Sequence, residues 1–194
     1  MSSKTAGQIR EFGGHIEEFA GKETAQKVMT GSEKIAKSSD KEKVALWVKE
    51  AIDRLDTAAT AETCHRIMTA CGHNCLARAS GLANGIKNRR KKHATEEAFL
   101  AAEIKKPLKG IRLELQGKTL IHYYTPRSYS TPHRCFCGLM NTLPEGTNTS
   151  ITYCHCSRGF VEKYWEGALG RPVKVEVVET CLGGAEECKF IIHL

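Results

Sequence analysis

Proline is scarce in this chain of 194 residues, five in all, and aromatic residues make up only 7%. So little proline, within an otherwise ordinary composition, argues against wholesale disorder. Long apolar runs are also missing. Nothing approaches the ~18–20 consecutive apolar residues of a membrane-spanning helix, and the opening MSSKTAGQIREF lacks the apolar core of a secretory signal. There is no phosphate-binding loop of the G-x-x-x-x-G-K-S/T or G-x-G-x-x-G kind. A G-x-S-x-G elbow and an H-E-x-x-H helix are absent too, which removes the usual signatures of serine hydrolases and zinc proteases. Glu162, Glu166, Glu176 and Glu179 provide carboxylates without pairing for acid–base work, and no catalytic residue is assigned. These absences lead to the expectation of a cytoplasmic protein with no membrane association.

What is present is ordinary globular composition, 41% hydrophobic and 26% charged, with a net charge of +7. This suffices for one large domain or two small ones. Nine cysteines stand out. In a reducing compartment they call for metal ligation, redox chemistry or burial rather than disulfides.

Residues 1–106 read as a helical region. Val44, Val48, Ala51, Ile52 and Leu55 recur at helical spacing, with Ser39 and Glu42 forming a capping-box signature at the start. Further helices are expected over 7–20, 23–37, 58–70 (running on through Gly72 toward 80) and 95–105, the last capped by Thr95. After Pro107 the texture changes. Ile111, Leu113 and Leu115 alternate with polar residues, Gly117 breaks the run, and 119–125 resumes it as a hairpin. A short strand at 151–154, a helix at 160–169 and two strands flanking the turn LGGAEE complete the pattern. The fold class is therefore α+β: an N-terminal helical region (1–106) packed on an antiparallel sheet with its helix (107–194).

The basic run Lys87, Arg89, Arg90, Lys91 and Lys92 reads first as a solvated connection between helices. Its alternative is phosphate contact. No aromatic residue interleaves it as a stacking platform, so nucleic acid is a minor hypothesis.

The strongest chemical signal is a pair of C-x-C motifs, Cys135-Phe-Cys137 and Cys154-His-Cys156. On strict strands the two thiols of each pair share a face, so four thiolates could converge on zinc or an iron–sulfur cluster; redox chemistry and inert burial are the alternatives. His155 would then point to the opposite strand face. Cys64, Cys71 and Cys75 form a second group, at i, i+7 and i+11 of one helix face with Met68 between. They are either ligands meeting the other half of the chain or plain helix core. Cys181 and Cys188 end the two strands around LGGAEE, and spacing alone favours a structural role.

The stretch Cys156-Ser-Arg-Gly-Phe, then Gly170-Arg-Pro-Val-Lys-Val-Glu-Val-Val-Glu-Thr-Cys181, then Gly183-Gly-Ala-Glu-Glu-Cys188-Lys-Phe-Ile-Ile, resembles the end of the 4-vinyl reductase domain family. The likeness is good over 151–194 and loose over 107–150. Where the family commonly has Gly-Asp in the turn, this chain has Gly-Gly-Ala-Glu. The resemblance implies a small α+β ligand-binding fold related to haem nitric-oxide-binding domains, a sensory role, and a small hydrophobic ligand. It also implies Cys156, Cys181 and Cys188 as zinc-ligand candidates, with Glu179 beside them. Cys135, Cys137 and Cys154 lie outside that pattern. No histidine matches a haem-ligand position.

The functional expectation is a metal-binding protein, with zinc as the metal, that binds a small molecule or acts as a sensor. Phe160, Tyr164 and Trp165 would offer the ligand a surface between helix and sheet; ordinary core is their alternative role. The competing expectation is an iron–sulfur or cysteine-dependent redox enzyme of anaerobic metabolism.

Overall fold

A computed structural model describes residues 3–128 and 134–194. Seven helices come first: α1 (Ser3–Ala20), α2 (Lys22–Val28), α3 (Ser32–Ile35), α4 (Lys41–Ala58), α5 (Ala61–Arg78), α6 (Ser80–Arg90) and α7 (Glu96–Lys105). The hairpin β1 (Ile111–Gln116) and β2 (Thr119–Tyr124) follows, then α8 (His155–Leu169), β3 (Lys174–Glu179) and β4 (Cys188–His193). The class is α+β, as the sequence pattern indicates.

The strands form one antiparallel sheet in the order β1-β2-β4-β3. Its inward face alternates Leu113, Leu120, His122, Val175, Phe190 and Ile192, all buried, as the period-2 pattern requires. Gly117, at φ 60°, makes the tight turn between β1 and β2.

Several local expectations are corrected. The helix anticipated over 23–37 is two short helices, interrupted where Gly31 takes a left-handed conformation at φ 81°. Asp40, not Ser39, caps α4, its carboxylate accepting from Lys43 N at 3.1 Å. The run containing Lys87, Arg89 and Arg90 is the end of α6 rather than a connection. Arg89 there donates to both carboxylate oxygens of Glu103 (2.7 and 3.0 Å) and to the Tyr164 hydroxyl at 2.8 Å.

The strand expected at 151–154 is a 3₁₀ turn (Ile151–Cys154) running directly into α8, which begins at His155 instead of 160. Ser150 starts that turn by accepting from Thr152 N at 3.2 Å. Its Thr-Tyr-Cys composition favours strand, but burial of Val161, Tyr164, Trp165 and Ala168 along one helical stripe decides the outcome.

Two apolar cores result. The first joins Ile9, Phe12, Ile16, Val48, Ile52, Leu55 and Ile67 to Leu139, Met140, Tyr153 and Leu182. The second joins Leu76, Ile86, Phe99 and Leu100 to the inner face of the sheet and to Val161, Tyr164 and Trp165. Each core draws on both sides of residue 107. The elements that tie the sides together are α5 and α8, which make the most extensive contact between any two elements.

Candidate metal centre

The crossing of α5 over α8 sets the geometry of the cysteines. Two glycines stand at the contact. A Cβ added to Gly159 would meet Thr69 O at 2.6 Å, and one added to Gly72 would meet Phe160 N at 2.8 Å and press still harder on the Cys156 carbonyl. Only glycine permits so close an approach of two backbones. The approach sets the start of α8, where Cys156 sits, directly against the middle of α5, where Cys71 and Cys75 lie one turn apart on the same face.

At this junction a cavity of about 40 Å³ is lined by Cys71, Cys75, Cys137 and Cys156. The rest of its wall is mostly apolar, including Ile9, Phe12, Trp47, Ile52 and Met68, with Gln8, Glu11, Arg78 and Tyr153 as its polar groups. The Tyr153 hydroxyl donates to Cys137 Sγ at 3.1 Å, and Arg78 pairs with Glu11 beside Cys75.

Cys135, Cys154 and Cys188 line a second, smaller cavity of about 20 Å³ together with Tyr124, Phe136 and Phe190. Cys181 adjoins it. The Cys181 backbone N–H donates to Cys188 Sγ at 3.3 Å, while its own thiol donates to Glu186 O at 3.2 Å. Each C-x-C motif is thus divided, its first cysteine facing the second cavity and its last facing the first. The strand geometry expected to set both thiols of a pair on one face is corrected, since neither segment is a strand. Cys154 and Cys156 straddle the entry to a helix, where residues two apart point ~200° from one another. Cys135 and Cys137 lie in a turning segment whose Cys137 carbonyl accepts from Met140 N and Asn141 N.

The structure also divides the residues that the resemblance groups as ligands: Cys156 lines the first cavity, and Cys181 and Cys188 belong to the second. Cys64 leaves the α5 group altogether. Its buried thiol points back to Leu55 O (3.7 Å) and Ala59 O (3.9 Å) and fastens the α4–α5 connection. His155 stacks on His65 with ring centroids 4.2 Å apart, across the α5–α8 contact rather than on the far face of a strand.

All nine cysteines are free thiols. Burial raises the pKa of several of them. It pushes the Cys71 thiol up to about 12, with Glu11 adding to the rise and Arg78 opposing it. Cys156 is held well above the ordinary thiol range by burial and by the neighbouring sulfurs of Cys137, Cys71 and Cys75. Cys137 is raised by burial, which the Tyr153 hydroxyl partly offsets. In the second group burial takes Cys154 up to about 11, and Cys181 is raised first by its hydrogen bond with Cys188 and then by burial. Cys71, Cys137, Cys154, Cys156 and Cys181 are therefore protonated at neutral pH unless a cation replaces the protons. Among the described residues, no three His, Cys, Asp or Glu side chains are already gathered at metal-binding positions.

Phe160, Tyr164 and Trp165 are core residues. Trp165 is 1% exposed and donates its indole N–H to His122 Nδ1 at 3.0 Å. Tyr164 holds Arg89, and Phe160 packs at the margin of the same cluster. Sequence reading missed Tyr153, whose position next to Cys154 was its one visible signal. It also missed Arg134, which precedes Cys135. Arg134 is 4% exposed and donates to Pro144 O (2.7 Å), Thr147 O (2.6 Å), Asn148 Oδ1 (3.1 Å) and Cys181 O (3.4 Å), binding the 141–150 loop to the second cysteine group.

Among the described residues no helix is long and apolar enough to cross a membrane. No curated protein matches the sequence. A family of unknown function, DUF6144, matches over residues 8–194, nearly the whole length, and the chain belongs to that family.

Proposed function

We propose that this protein is a cytoplasmic zinc-binding protein that binds or senses a small molecule, with Cys71, Cys75, Cys137 and Cys156 as the zinc ligands. The observation that carries this reading is that four cysteines, from three segments far apart in sequence, line one small cavity. Four thiolates match the preferred donor set of a structural zinc ion. The Tyr153 hydroxyl on Cys137 is the kind of outer hydrogen bond that orients a ligating sulfur.

Bound zinc would hold the sulfurs as thiolates and tie α5, the 135–137 segment and the start of α8 together. The ligands must first lose their protons, so metal uptake releases protons and contributes to folding. The resemblance of 151–194 to the 4-vinyl reductase domain supports the small-molecule or sensory part of the reading. The raised thiol pKa values weigh against a cysteine nucleophile.

The test is metal analysis with an absorption spectrum on protein purified without air. About one zinc per chain and no visible band is the expected result. Iron with sulfide and a broad visible band would replace it with the iron–sulfur redox reading, and a metal-free protein indifferent to chelator would remove both.

A further inference from the structure

The face of α5 turned away from the sulfur cavity borders a groove of about 390 Å³, between the end of α1 and the first turns of α8. This lies within the size range of small-molecule sites, ~300–1,000 Å³. Phe19, His65, Arg66, Thr69, His73 and Arg158 line it. Two permanent cations, two imidazoles and a hydroxyl therefore face one space, with Glu62 as the lining carboxylate.

The groove is held in shape before any ligand arrives. Arg158 donates to Val175 O at 2.8 Å and to Thr69 Oγ1 at 2.9 Å and pairs with Glu162 at 3.1 Å, so its side chain is fixed and only 15% exposed. The Arg66 guanidinium lies 4.8 Å above the Phe19 ring. His65 is stacked on His155 at 4.2 Å. One imidazole nitrogen at this wall, His73 Nε2, is buried with no hydrogen-bond partner. Unfilled capacity of this kind is uncommon in a folded protein.

We propose that this groove is the small-molecule site and that its ligand is an organic anion: a flat apolar body bearing a phosphate or carboxylate. The exposed Arg66 guanidinium takes the oxyanion through charge-assisted hydrogen bonds, the Glu162-paired Arg158 shapes the wall, and Phe19 with Ala70 accommodates the body. The inference rests on the small-molecule part of the proposed function and moves the ligand away from Phe160, Tyr164 and Trp165.

The test is calorimetric titration of the purified full chain, at constant ionic strength, with phenyl phosphate, benzoate, inorganic phosphate and phenol. Phenyl phosphate or benzoate should bind with a Kd of about 1 mM or tighter and at least about tenfold more tightly than inorganic phosphate or phenol. Whichever of the two wins identifies the oxyanion. Arg66→Glu should weaken that binding about tenfold or more while leaving zinc content unchanged, since Arg66 is exposed and lies on the face of α5 away from the sulfur cavity. No binding by any anion, equal binding by phenol, or no effect of Arg66→Glu overturns the proposal. Zinc content is read on the same samples, so loss of the metal reading and loss of the anion site are separate results.

Discussion

Gly72 of α5 stands against the carbonyl of Cys156 so closely that position 72 has no room for a side chain. One contact between a glycine and a cysteine therefore governs whether the thiols of α5 and α8 share a cavity.

Gly72→Ala should destabilise the fold by about 3 kcal/mol or more, because backbone rather than a flexible side chain must yield, and zinc content should fall with it. Gly14→Ala is the control. It lies within α1 with nothing within 4 Å of the added methyl, and should stabilise by about 0.5–1 kcal/mol. Urea unfolding of both variants measures the contrast.

The cysteines should sort by position. Cys71→Ser or Cys156→Ser should bring zinc from about one per chain toward none after chelator treatment. Cys64→Ala should leave zinc unchanged and cost about 1 kcal/mol, the loss of a buried thiol that only fastens a helix connection. Zinc loss on changing Cys64 would contradict the ligand assignment.

Tyr153→Phe removes the hydroxyl on Cys137 and keeps the ring in its buried place. Zinc stoichiometry should persist while affinity drops roughly tenfold, as read by competition with a chromogenic chelator.

His122 supplies a pH dependence independent of the sulfurs. It accepts from the Trp165 indole at Nδ1, and burial pushes its pKa down to about 3 from 6.5. The unfolded chain binds this proton more readily, so the contribution is fully present above pH 6.5. It is lost as pH falls toward 3, at a limiting slope of roughly 1.4 kcal/mol per pH unit. His122→Asn should flatten stability measured between pH 7 and 4.5 relative to the wild type; parallel curves would refute the assignment.

The basic run should split in two. Arg89→Met leaves Glu103, 7% exposed, without its bidentate partner and should cost about 2–3 kcal/mol. Replacing the exposed Lys91 and Lys92 together should change stability by under about 0.5 kcal/mol. Thermal unfolding separates the two outcomes.

Much of the architecture was legible in local pattern. Periodic Val44, Val48, Ile52 and Leu55 marked α4, Thr95 marked the cap of α7, and alternation marked β1 and β3. The break at Gly31 was not legible, nor was the helical entry at 151–156, because β-prone residues there fold to suit packing around Tyr153 and Trp165. The site was half visible. Eight of the nine cysteines do fall into two groups, but membership depends on the α5–α8 approach at Gly72 and Gly159, which joins residues some 85 positions apart. Spacing along the chain carries no information about such a crossing. Arg66 and Arg158 were likewise unremarkable until two helices placed them on one groove.

Because each apolar core takes side chains from both sides of Pro107, a cut there would leave two fragments, each holding half of two interiors. Neither piece could seal itself from water, and mixing the two should restore what each lacks. Heat should accordingly melt the molecule in one step, with no midway state in which the helices stand while the sheet has gone.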